Sequence, residues 1–469
     1  MSRPLDVLGT PGWGEVDACG SVRPGTGDWT LDWWVGASDR WHRASQEATV
    51  GQSDVGVVET RMKLPDGDAV QRVWAVAGGG TAVAVVEVGN EAATAFAVAL
   101  IVEVPGKVVK VDRTGLVVGD QPVLVWDRPP AAAATGPGAI EAVLHPGTGA
   151  VTGDRGLSGG GRDIAALVWP LPHTARLAVS TALGRGPLLR PSDLPEADAV
   201  VRGWRSHLDR GALIEVPDGA LAGRIDRNRH RWLGSTGRME TVGMAELCRL
   251  SVRLDHHGYH QDAEVVLNEI AERWTTEAPT ERLTAFGVHH DLTRSRAAAV
   301  RYVEAVAEAV EAAARVGAEV PVESIVRLLN AAGQSRAARD LEGLDLRPAE
   351  AIFPRSRVRE YRGDLEGLDL RPAEPREEGL RAELVSEQGD HLLLVPGFRP
   401  AWRGGPLAVY GLPTRFGPVS YAVRWHGDRP ALLWELAAHP DQEPITVRAP
   451  ALDESWFSEQ VAGEALLVQ

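Results

Sequence analysis

Hydrophobic residues in this chain follow a strand period over residues 1–185, a helical period to about residue 338, and a strand period again from residue 383 to the end. A chain patterned in three blocks must build cores of more than one kind. In the first block Val58, Thr60, Met62 and Leu64 alternate with Glu59, Arg61 and Lys63, the period of a half-buried strand. Further strands are predicted at 73–76, 82–88, 96–102, 107–111, 122–126, 139–144, 164–169 and 176–181. Glycines at 78–80 and Gly89-Asn90 serve as turns. Many short strands without intervening helices predict an antiparallel sandwich.

After a Pro- and Gly-rich stretch at 184–195 the period changes. Leu247, Leu250 and Leu254 make one stripe, and Val266, Ile270 and Trp274 another. A long Ala/Val/Glu helix is expected from 293 to Gly317 and another after Pro321. Short connections predict antiparallel helical hairpins. From Leu392 onward strands return at 392–395, 407–410, 419–425, 431–436 and 445–447. The predicted domains are a β-sandwich at 1–185, a helical domain at 186–338, a linker at 339–382 and a small β-domain at 383–469. The linker holds an exact duplication, Asp340–Glu350 recurring at Asp364–Glu374. Two copies are too few for a solenoid.

A net charge of −15 over 469 residues argues against a nucleic-acid groove, which needs clustered cations. Two cysteines, Cys19 and Cys248, make neither a disulfide framework nor a metal-type pair. The apolar run 93–104 is shorter than a membrane-spanning helix, and the first residues lack the apolar core of a signal peptide. A cytoplasmic protein with no membrane or nucleic-acid partner is expected; its oligomeric state stays open.

Two stretches carry a resemblance: Gly27-Asp28-Trp29-Thr30-Leu31-Asp32-Trp33-Trp34-Val35-Gly36 near the start, and Leu394-Val395-Pro396-Gly397 and Trp402 followed by 412–420 near the end. With the block order they resemble the six-hairpin glycosidase superfamily, which includes glucoamylases, glycogen debranching-type enzymes and α-L-rhamnosidases. The resemblance implies a multidomain α+β fold: an N-terminal β-sandwich, α/α-toroid-like helical hairpins and a small C-terminal β-sandwich. It also implies a glycoside hydrolase-like role on an α-glucan or oligosaccharide. A full toroid of twelve helices needs roughly 200 residues, and the span 220–338 has room for roughly six or seven. The toroid is therefore expected to be incomplete and catalysis doubtful. The alternative is a non-catalytic carbohydrate-binding or scaffolding protein.

Glycoside hydrolysis needs two carboxylates across the scissile bond, and Glu240 and Asp255 are candidates because they lie near predicted helix ends. Trp33, Trp34 and Trp41, with Asp39 and His42, form a candidate carbohydrate-binding cluster, since indole faces suit sugar rings. Adjacent Trp33 and Trp34 must point to opposite sides of a strand, which puts one in the core. No cofactor is expected, and no metal. Histidines cluster at His256-His257 and His260 and again at His289-His290-Asp291, but a metal needs several imidazoles converging with supporting groups behind them. Asp255-His256-His257-Gly258-Tyr259 reads more simply as a helix C-terminus, cationic side chains facing the carbonyl end. Gly156-Leu157-Ser158-Gly159-Gly160 matches the nucleophile-elbow pattern without the strand and helix that motif needs, so it reads as a turn.

Overall fold

The computed structural model describes residues 2–38, 40–51, 54–105, 109–136, 138–144, 162–273, 275–343, 347–348, 377–440 and 442–468. The chain is mixed α+β, with antiparallel sheets in its N-terminal half and helices in the middle. It divides into two compact units, Met1–Leu208 with Leu233–Glu240, and Asp209–Trp232 with Thr241–Gln469. Asp39, Trp274, the 156–160 pattern and most of the duplicated linker lie outside the described residues.

The first unit holds two eight-stranded sheets, antiparallel at every described pairing. In one, Thr30–Ala37 and Arg162–Leu171 flank Phe96–Pro105, and Leu100 pairs with both Trp33 and Leu167. The other centres on Gly67–Gly78 and Thr81–Asn90. These are joined by the two-residue turn Gly79-Gly80, both at positive φ, as such hairpins require. Alternate residues of the two sheets, among them Leu31, Trp33, Val35, Val73, Val86 and Leu100, share one core.

Each sheet is also covered on its outer face. Residues 139–144, expected as a strand, form helix α1 (Ala139–Leu144). Its buried Ala139, Val143 and Leu144 recur at helical spacing and pack with Trp34, Ala99 and Ile101. Ala, Glu and Leu are strong helix formers, and their propensity outweighs the short apolar run that suggested a strand. Helix α2 (Ala197–Leu208) lies on the other sheet, with Ala197, Val200 and Val201 packed near Trp74, Val76 and Val85.

Among the described residues, seven α-helices occupy the span 219–342: α3 (Gly219–Ser235), α4 (Met244–His256), α5 (His260–Glu272), α6 (Pro279–Thr293), α7 (Arg296–Val316), α8 (Val322–Ala331) and α9 (Ser335–Glu342). In the second unit, α4 with α5, α6 with α7, and α8 with α9 pack as consecutive pairs across short connections. The predicted stripes are buried: Leu247, Leu250 and Leu254 on α4, Val266 and Ile270 on α5. Helix α4 ends where expected. Gly258 at φ 85 turns the chain, and Tyr259 N–H donates to Leu254 O at 2.9 Å.

Helix α6 contacts α4, α5, α7 and α8 and is buried on every side, from Arg282 and Leu283 through Phe286 and Val288 to Leu292. A helix with no solvent face belongs at the centre of its layer.

The C-terminal strands form a five-stranded antiparallel sheet of Leu213–Glu215, Leu407–Leu412, Val419–His426, Arg429–Leu436 and Ala462–Leu466. A four-stranded sheet of Val385–Gln388, His391–Leu394, Thr446–Arg448 and Phe457–Ser458 lies in the same unit. Both contribute to one core with Trp402, into which α3 inserts Leu221 and Ile225. No helix among the described residues is long and apolar enough to cross a membrane.

Candidate functional site

A helix sealed inside a protein ought to be apolar, because a buried polar group costs free energy unless it is partnered. Helix α6 breaks that rule with Arg282, His289, His290 and Asp291, all buried. Arg282 is spent on structure, donating to Thr275 O at 2.6 Å and to Glu308 at 2.9 Å. The other three divide between two clusters.

His289 faces Asp255, the last but one residue of α4. The fully buried carboxylate of Asp255 lies 3.0 Å from His289 Nδ1 and 2.8 Å from Nδ1 of His260, the first residue of α5. Burial opposes ionisation of Asp255, but the two imidazoles outweigh it and hold the carboxyl below its ordinary range. Neighbouring His256 and His257 have imidazoles pushed well below their usual range by burial. At neutral pH they are uncharged, so they do not supply the helix-end cations expected from the sequence.

His290 and Asp291 face the other way, toward a cleft of about 720 Å³. Its lining comes from the C-terminal ends of α6 (His290, Arg294) and α8 (Arg327, Asn330), the turn at Gly389-Asp390, Arg415-Phe416, and the segment bearing His439, Gln442 and Glu443. Asp291, fully buried behind it, is the anchor. It accepts two hydrogen bonds from the Arg327 fork, at 2.8 and 2.9 Å, and one from Ser324 Oγ at 2.6 Å. Arg294 donates to Arg415 O at 3.0 Å. Arg415 lies over the Phe416 ring at 4.7 Å, and its backbone N–H donates to buried Glu387, which also pairs with Arg381. Three guanidinium groups are thereby fixed around one opening.

Burial lowers the His290 imidazole to about 4, and burial followed by Arg294 lowers that of His439. Both rings are neutral at neutral pH, each with one donor and one acceptor nitrogen. The cleft combines planar polar groups with the apolar surfaces of Phe416, Pro440, Pro444 and Ile445.

The sequence-derived candidates lie elsewhere. Glu240 is exposed in the first unit, and Asp255 is inside the second. Trp33 points into the sandwich core and donates to Cys19 O at 3.0 Å; Trp34 points to the opposite face and donates to Asp32. The Trp34 ring is covered by the Arg43 guanidinium at 4.3 Å. Half-buried Trp41 lies against Gly36 and donates to Leu144 O, while buried His42 pairs with Glu47 at 2.7 Å. Asp39 is outside the described residues.

Sequence reasoning missed Arg294, Arg327, Arg415 and His439 as lining groups. The available signal was the polar His289-His290-Asp291 run set between Val288 and Leu292.

No family model and no curated protein matches the chain. Among solved structures it is similar to a bacterial glucoamylase complexed with acarbose, at a TM-score of 0.42 and 9% identity. That match covers 72% of this chain and 66% of the glucoamylase chain, just under two thirds of it.

Proposed function

We propose that this chain is a glycosidase-like protein of carbohydrate metabolism that binds a saccharide in the α6/α8 cleft and does not cleave it. The cleft's composition carries the reading. Guanidinium, amide, carboxylate and neutral imidazole groups converge beside apolar ring and proline surfaces, a set suited to a polyhydroxylated ligand with polar edges and apolar faces. The order of blocks in the sequence, with its consecutive helical hairpins, supports the same kinship.

Loss of hydrolysis is inferred from the carboxylates. A general acid must be held protonated at the working pH, usually by a dry environment. The buried carboxylates described in this unit, Asp255, Asp291 and Glu387, are all engaged by histidine or arginine. Burial raises the Glu387 carboxyl despite Arg381, but Glu387 lies behind Arg415 and is not among the residues that line the cleft. The carboxylates that line the cleft, Asp390 and Glu443, are exposed.

Affinity electrophoresis through gels containing α-glucan tests the site. Asn330→Ala with Gln442→Ala is expected to weaken retention about tenfold, the loss of one or two hydrogen bonds. Unchanged mobility would remove the cleft from consideration. Trp41→Ala is the matching control for the N-terminal cluster, where Trp41 is the half-buried indole.

A further inference from the structure

We infer that Asp255, His260 and His289 form a binding site for a first-row divalent cation, with Glu264 as the carboxylate that orients His289. The linear sequence gave no metal spacing, because the donors come from three helices. Asp255 is the last but one residue of α4, His260 begins α5, and His289 lies near the end of α6.

The fold brings one ligand atom from each within 4.8 Å of the others. The Asp255 carboxylate is 2.8 Å from His260 Nδ1 and 3.0 Å from His289 Nδ1. Two ligands each about 2.1 Å from one ion lie roughly 3.0–3.4 Å apart. The two Asp255–imidazole pairs therefore need open by only a few tenths of an ångström, while the two imidazoles, within 4.8 Å of each other, draw in around the ion. Two imidazoles and one carboxylate are a donor set favoured by Zn²⁺ and its first-row neighbours over Mg²⁺ or Ca²⁺.

Two further observations go beyond an internal hydrogen-bonded triad. The His289 ring presents Nδ1 to Asp255 and Nε2 to Glu264 Oε1 at 3.6 Å. At 3.6 Å this is an ion-pair distance that leaves the buried Nε2 without a hydrogen bond, and a closure of about half an ångström gives the carboxylate–imidazole arrangement that fixes metal-ligating histidines. Glu264 is one helical turn after His260 and is held in turn by Arg301 at 3.4 Å. Second, Asp255 and His289 are buried, whereas the His260 side chain is 30% exposed. The site has one solvent-reachable edge, through which an ion enters and water completes its coordination.

The test uses the full, tag-free chain after treatment with a chelator. Co²⁺ titration followed by visible absorption is expected to show saturable binding of one ion, displaced by Zn²⁺. His260→Ala should weaken binding at least 100-fold with the far-ultraviolet circular dichroism unchanged. Glu264→Gln, which leaves all three ligands in place, should weaken it about 10- to 100-fold. Absence of saturable Co²⁺ binding to the parent chain overturns the inference. So does equal affinity in folded Glu264→Gln, which also serves if His260→Ala does not fold.

Discussion

Asp6 is the buried carboxylate whose surroundings do least to compensate it. Neither oxygen has a hydrogen-bond partner among the described residues, and Gly234 packs against its side chain. Burial raises the carboxyl from 3.8 to about 6, with Arg238 only partly opposing. The folded first unit thus binds a proton more tightly than the unfolded chain does. Its contribution to stability is fully present below about 3.8 and is lost as pH rises through about 6, a loss of roughly 3 kcal/mol. Asp6→Asn removes that slope. The urea midpoint of the variant should exceed that of the parent at pH 7.5 and match it at pH 4; an equal gap at both pH values would contradict this account. Asp291 is the opposite case, buried but fully satisfied. Arg327→Ala leaves its charge to Ser324 Oγ and to Arg294 at 3.8 Å, and a cost of about 3 kcal/mol is expected, measurable as a lowered urea midpoint.

At the scale of elements, two chain reversals set the site. Ser295 begins α7 by accepting from the Ala298 N–H at 3.1 Å, and Ser295→Ala should cost about 1 kcal/mol. Gly258 holds φ 85 between α4 and α5, and an added Cβ would stand 3.2 Å from Ala212 N. Gly258→Ala should cost at least about 1 kcal/mol in thermal unfolding and should displace His260. The stripes of α4 and α5 and most strands were legible in the sequence because burial on one face imprints a period. The 139–144 segment was not, since six residues are too few to separate the two periods and a helix over a sheet buries much the same residues. Nor were the clusters on α6. The partners of its polar residues come from α4, α5, α8 and the C-terminal strands, and only the fold supplies that adjacency.

For the whole molecule, antiparallel sheets fill the N-terminal half and helices the middle, in keeping with the α+β reading of the sequence; the first compact unit runs on to Leu208 and takes in α2. The proposed reading is that this architecture keeps a saccharide site while its buried acids serve as anchors. The most direct test measures binding and cleavage on one sample. The purified chain is incubated with a panel of α-linked glucooligosaccharides, with saturation-transfer NMR reporting contact and a reducing-end assay reporting cleavage. Saturation transfer to sugar protons without new reducing ends is the expected result. Reducing-end release that disappears in Asp390→Asn or Glu443→Gln would contradict it by making the cleft an active hydrolase.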